Sequence, residues 1–149
     1  MTDIRLKQAE LPVEDQAYYR LVGVSSALTS RASARLEEDF RLPASWFEVL
    51  LWLYHQDGPL SATDLGSCAL ISRSQVSRVI DALQARELVT RAPSATDARS
   101  VEVTITPQGR DLFERADAAR RETLSPVLAD RLDPAELEEL ARILLKLKG

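Results

Sequence analysis

Six residues within seven positions, Ser72, Arg73, Ser74, Gln75, Ser77 and Arg78, set short hydroxyl and amide donors beside forked cations. Such side chains reach base edges by paired hydrogen bonds and phosphates by charge, which is the chemistry of reading a DNA duplex. A second group sits in the polar stretch Ala92-Pro-Ser-Ala-Thr-Asp-Ala-Arg-Ser100, where Asp97 and Arg99 stand two residues apart. A local ion pair between them would hold the guanidinium outward, and arginine is favoured in a narrow, electronegative minor groove. Other chemistries find little to use. One His, one Cys and no spaced His/Cys/Asp set leave neither a catalytic triad nor a metal site. Five glycines are too sparse for a phosphate-cradling loop, so the expectation is no enzyme and no cofactor.

Those side chains need elements to present them. Ser61-Ala-Thr-Asp64 and Ser72-Arg-Ser-Gln75 both fit a capping box, in which Ser accepts from the N3 amide and the N3 side chain returns the bond. Two helix starts eleven residues apart leave room for about two turns of first helix and a corner. Leu65, Gly66, Ala69, Ile71, Val76 and Val79 then fall where a helix-turn-helix needs apolar or small residues. Gly66 lets the helices approach and Ile71 plugs the corner. Leu88-Val-Thr-Arg91 and Val101-Glu-Val-Thr-Ile105 read as strands, the second with Val101, Val103 and Ile105 on one face. The turn-rich stretch between them makes a hairpin loop, and a hairpin after a recognition helix is a wing.

Around this unit the pattern is helical. Residues 13–40 run long, with Leu21, Leu28, Ala32, Leu36 and Phe40 in one apolar stripe. Pro43 starts the next helix in its first turn, and from Trp46 to Tyr54 only Glu48 is polar, which predicts a buried central helix. Thr106-Pro107 and Asp133-Pro134 pair an N-cap residue with Pro at N1, opening helices over about 107–130, bent at Pro126, and 134–148. Leu137, Leu140, Ile143, Leu144 and Leu147 make a broad stripe at the end of the chain. A twofold mate would bury it together with the first helix, and the alternative is that the two ends pack on each other within one chain. The fold class is mainly α with a small β-wing, a winged helix-turn-helix with N- and C-terminal dimerisation helices. It forms one domain over 1–149, with the DNA-binding lobe at about 43–105 and the dimerisation helices at about 13–40 and 107–148.

At 149 residues the chain can bury a real core, and a single Cys rules out an intramolecular disulfide framework. No apolar run approaches the roughly 18 residues of a membrane span and no leader pattern opens the chain, so a soluble, cytoplasmic protein is expected. The net charge of -4 looks wrong for a DNA binder, but charge is local. Between Ser72 and Ser100 five Arg (73, 78, 86, 91 and 99) face Asp81, Glu87 and Asp97, an excess of two positive charges. A basic reading face on an acidic body steers DNA to one side.

The combination resembles the multiple-antibiotic-resistance regulator (MarR) family of bacterial winged-helix transcription factors. The resemblance rests on Leu60-Ser-Ala-Thr-Asp-Leu65, Ile71-Ser-Arg-Ser-Gln-Val-Ser-Arg-Val-Ile-Asp-Ala-Leu83, Leu88-Val, Asp97-Ala-Arg99-Ser and Thr104-Ile-Thr-Pro-Gln-Gly109, with flanking helices in matching order. Two positions depart from it: Leu70 replaces the Gly or Asn common at the corner, and Ala98 stands where Arg is frequent, removing one phosphate contact. The resemblance implies a homodimer held by the first and last helices, with recognition helices in successive major grooves and wings beside them. Ser72, Arg73, Ser74, Gln75, Ser77 and Arg78 take the recognition role, Arg99 the minor-groove role and Asp97 its orientation. It also implies a repressor that leaves a near-palindromic operator when a small, often aromatic or phenolic, effector binds.

Plainer readings stand beside these. Arg86 solvates the outer face of the recognition helix. Cys68 is either a redox sensor, making this a redox-sensing regulator, or a small apolar filler, and the filler is the commoner case. His55 faces an effector pocket or caps a helix C-terminus. Arg20, Trp46 and Trp52 lie on helices that wall the family's pocket, although core packing is the default for both Trp. A winged helix used only as a protein-interaction module would carry apolar or acidic residues where this chain has Arg, Ser and Gln.

Overall fold

The computed structural model describes residues 11–148 apart from Leu70 and Ala98, so the two departures from the family pattern lie outside the described residues. In chain order the elements are α1 (Val13–Phe40), α2 (Ala44–His55), β1 (Leu60–Ser61), α3 (Ala62–Cys68), α4 (Arg73–Ala85), β2 (Val89–Pro93), β3 (Val101–Ile105), α5 (Pro107–Leu124) and α6 (Pro134–Lys148). The fold is mainly helical with a small antiparallel sheet in the order β1-β3-β2, a winged helix-turn-helix. Contacts gather into two compact units, Ser33–Thr123 and the remainder on either side of it; the expected 43–105 lobe lies within the first.

The core of Ser33–Thr123 is built on α2. Phe47, Val49, Leu50 and Leu53 are buried there, against Leu65, Val76, Val79, Ile80 and Leu83 of α3 and α4. Phe47 stacks on Phe113 of α5 at 5.3 Å between ring centroids. The helix-turn-helix corner closes as its residue sizes demand. A Cβ on Gly66 would stand 3.1 Å from Val76 Cγ2, so any side chain there would require Val76 to give by a few tenths of an ångström. Ile71 donates its backbone N–H to the Gly66 carbonyl at 3.3 Å.

Local capping rules placed most helix starts. Ser72 and Gln75 form the full reciprocal box, as do Asp133 and Glu136, with both bonds at 2.9 Å in the second pair. The Ser61 box is only half made. Ser61 Oγ accepts from Asp64 N at 3.1 Å, but its proton goes to Asp64 Oδ2 at 2.6 Å, and Ser61 itself belongs to β1. That two-residue strand, pairing Leu60 with Val103 and Ser61 with Glu102, is too short for any periodicity to announce.

Strand β2 runs Val89–Pro93 instead of Leu88–Arg91, taking Ala92 and Pro93 from the expected loop, and three further features differ from expectation. Pro43 is the N-cap of α2, not its first helical residue, with ψ of 149°. Helix α5 stops at Leu124 instead of running bent through Pro126. Proline offers no N–H and disfavours helical geometry at the residue before it, so the chain turns at 125–131 before Asp133 restarts a helix. In β3 the inward face holds Val103 and Ile105 buried, but burial ends before Val101, which is 47% exposed.

The joint between α4 and β2 ends in a left-handed residue that is not glycine. Glu87 has φ of 59°, Leu88 N–H reaches Leu83 O at 2.9 Å and Glu87 N–H reaches Gln84 O at 2.9 Å, a Schellman closure. Thr106 then ties α5 to this joint. Its Oγ1 donates to Glu87 O at 2.7 Å and accepts from Gly109 N at 3.0 Å. Gly109 is the price of that approach, since a Cβ there would lie 2.1 Å from Leu88 O.

Candidate nucleic-acid interface

The capping box that starts α4 also decides which of its polar side chains remain available. Ser72 Oγ accepts from Gln75 N at 3.3 Å, and Gln75 Oε1 accepts from Ser72 N at 3.0 Å. Ser74 Oγ lies 3.1 Å from Ser72 Oγ. Ser72 and Gln75 are therefore partly engaged, with the Gln75 amide N–H groups left over. Arg73, Ser77 and Arg78 are exposed on the same helix, and neither guanidinium has a partner among the described residues.

The wing is a tightly bonded turn. Ser94 Oγ donates to Glu102 Oε1 at 2.7 Å and accepts from Thr96 N at 3.2 Å, while Ser94 N reaches Ser100 O at 2.9 Å. Asp97 does not meet the Arg99 guanidinium as expected. Its Oδ1 accepts from the Arg99 backbone N–H at 3.0 Å, an Asx-type turn that fixes the main chain and leaves the side chain extended into solvent. The ion pair loses because the amide lies two residues on, within reach of a short carboxylate, and an exposed pair would gain little.

Two of the five arginines counted toward a basic face are used inside the protein. Arg91 pairs with Asp81 at 2.6 Å and reaches Ser77 O at 3.5 Å, linking β2 to α4. It lines a cavity of about 420 Å³ with Ala62, Ile80 and the open side of Val101. Arg86 does not solvate the helix surface. It is the C-cap residue of α4 and donates to Phe40 and Arg41 carbonyls. That leaves Arg73, Arg78 and Arg99 as the outward-facing cations of the lobe.

A sequence profile of the MarR family matches residues 42–100, the segment that holds α2, the helix-turn-helix and the wing loop. The HTH-type transcriptional repressor Rv2887 of Mycobacterium tuberculosis is 32% identical over 130 residues, 87% of this chain and 91% of its own length. The chain belongs to the MarR family. Its fold superposes with a TM-score of 0.82 on a MarR family transcriptional regulator from Streptomyces coelicolor in complex with DNA, at 23% identity over 93% of this chain and 88% of the other. Bordetella bronchiseptica BpsR, whose DNA binding is regulated by 6-hydroxynicotinic acid, is 29% identical with a TM-score of 0.67 over 87% of this chain and 99% of its own. This MarR family protein is thus a DNA-binding transcriptional regulator, not an enzyme.

Other residues singled out in the sequence of this MarR protein are more dispersed. Arg20 is exposed on α1, and Trp52 is 37% exposed on α2, outside the core that was its default. Trp46 is half-buried against the core. His55 ends α2 with its ring edge toward Tyr54 at 5.1 Å and Phe113 at 6.0 Å. Cys68 is free and half-buried at the end of α3.

The same region holds one polar contact between residues distant in the chain and one cluster at helical spacing within α5. Tyr54 Oη donates to Glu114 Oε1 at 2.8 Å, and this bond to the carboxylate, aided by desolvation, raises the phenol above its ordinary value of 10.0. Asp117 is buried on α5 and held by Arg120 at 2.6 Å and Arg121 at 2.8 Å. Among the described residues no group of three His, Cys, Asp or Glu could hold a metal, and no helix is long and apolar enough to cross a membrane.

Proposed function

We propose that this chain is a homodimeric repressor that grips a near-palindromic operator and is released by a small aromatic or phenolic effector. The observation that carries the dimer is apolar surface. Among the described residues thirteen large hydrophobic side chains stand exposed, and eleven of them lie on α1 and α6, from Val13, Tyr18 and Leu21 to Ile143, Leu145 and Leu147. No residue of α6 is buried, with Leu145 at 70% and Leu147 at 69% exposure. Apolar surface on this scale marks an interaction site, and a self-complementary contact with a second copy removes it from water at both ends at once.

In that assembly Arg73, Ser74, Gln75, Ser77 and Arg78 meet base edges, with Ser72 as the cap that presents them. Arg99 enters the minor groove on a backbone held by Asp97. The repressor named in the Mycobacterium relative supports the sign of regulation, and the regulation of BpsR by 6-hydroxynicotinic acid supports an effector of that chemical kind. Release follows from linkage: a ligand that binds better to a dimer of the wrong half-site spacing draws population away from DNA.

The test is DNA selection from genomic fragments, the gene's own upstream region among them, followed by footprinting and sedimentation of the full chain. A dimer protecting two half-sites about one helical turn apart is expected. A monomer that binds selected DNA tightly defeats the proposal.

A further inference from the structure

Arg86 closes α4 and reaches across to a different part of the lobe. Its Nη1 donates to Arg41 O at 2.8 Å and its Nη2 to Phe40 O at 3.2 Å. These are carbonyls at the C-terminal end of α1, among those a helix leaves without an intrahelical partner. Arg41 has φ of 51°, and this left-handed turn ends the helix just where the two carbonyls meet the fork. The guanidinium carbon also stands 5.7 Å from the Trp46 ring centroid, and Trp46 is packed against the core. A planar fork with two acceptors and an aromatic platform is oriented in a way that a lysine ammonium is not.

We propose that Arg86 is a positioning residue for DNA reading, tethering the C-terminal end of α4 to the α1–α2 corner without touching DNA. The lever arm gives the tether its effect. A 13-residue helix is roughly 20 Å long, so a tilt of about 5° about its middle moves each end by about 1 Å. Arg73 and Arg78 lie in the N-terminal half of α4. Hydrogen bonds to base edges tolerate only a few tenths of an ångström around their normal lengths, so an error of that size breaks them. The close Gly66–Val76 corner and the Asp81–Arg91 pair form the fulcrum near the middle of α4, and Arg86 at its end sets the tilt of the helix about that fulcrum.

The test uses full-length Arg86→Ala and Arg86→Lys proteins and the duplex that the wild-type protein selects from genomic fragments. Affinity is read by fluorescence anisotropy across a KCl series, at a temperature where circular dichroism shows each variant folded. Arg86→Ala is expected to bind about tenfold more weakly with an unchanged salt slope, because no phosphate contact is lost. Arg86→Lys, which keeps the charge and one carbonyl bond, recovers part of the loss. Binding by Arg86→Ala within twofold of wild type overturns the proposal, because the tether then serves the fold alone. A salt slope reduced by about one also overturns it, because Arg86 is then a phosphate contact. If Arg86→Ala does not fold, Arg86→Lys decides: a threefold or greater loss at unchanged slope supports positioning, and wild-type affinity overturns it.

Discussion

Arg73, Arg78 and Arg99 differ from Arg86 and Arg91 in one respect, whether another part of the protein has already taken the guanidinium. Arg91 is held by Asp81 and Arg86 by two carbonyls, whereas the other three extend into solvent. The wing then offers a sharp test, since Asp97 accepts from the Arg99 backbone and not from its side chain. Asp97→Asn keeps the acceptor and removes a negative charge near phosphate, so it should bind DNA as well as wild type or better. Asp97→Ala loses the acceptor, loosens the turn and should weaken binding by about 1 kcal/mol, the ordinary worth of such a hydrogen bond. Anisotropy titrations of the two variants against Arg99→Ala distinguish the cases. Equal weakening by Asn and Ala would mean that the carboxylate charge, and so an ion pair, is what orients Arg99.

At the scale of elements, the joint between α4, β2 and α5 carries opposite demands on two neighbouring backbones. Glu87 adopts a left-handed conformation that costs a side-chain-bearing residue roughly 1–2 kcal/mol, and glycine takes it without that clash. After its larger loss of chain entropy, Glu87→Gly should still raise stability by about 0.5–1 kcal/mol. Gly109 is the reverse case. Its missing Cβ is the space occupied by the Leu88 carbonyl, and backbone cannot step aside as a side-chain tip can. Gly109→Ala should cost about 1–3 kcal/mol or prevent the hairpin from docking on α5. Urea denaturation of the pair measures both, and a stabilised Gly109→Ala would mean that α5 does not approach the Leu88 carbonyl this closely.

For the whole molecule, the apolar face of α6 is dispensable to the core of Ser33–Thr123, because none of its residues is buried. Under the proposed assembly the paired change Ile143→Glu with Leu144→Glu should leave that core intact. It should nevertheless convert the protein to monomers and weaken operator binding by tenfold or more, since a single lobe forfeits the effective concentration of its partner. Sedimentation beside anisotropy reads both effects. A variant that remains dimeric and binds normally would place the interface elsewhere.

The elements and their order were legible in the residues because caps, turns and apolar periods act over three or four positions. Ser72 with Gln75 and Asp133 with Glu136 cap their helices across three positions, and the alternation in β3 is visible within its own five residues. The exposure of Arg73 and Arg78 followed from the same periodicity and that of Arg99 from its place in a polar, turn-rich loop, and the contiguous run from Leu60 to Gly109 was enough to suggest the MarR family. What a polar side chain bonds to was not legible where the partner is distant. Arg86 meets Arg41 across 45 residues and Tyr54 meets Glu114 across 60, and only packing brings those groups within reach. The same holds for β1, which is a strand because Val103 and Glu102 lie alongside it. Local rules act through the chain's own backbone and can be read from spacing, whereas competition for a guanidinium or a carboxylate is decided by whichever neighbour the fold places nearest.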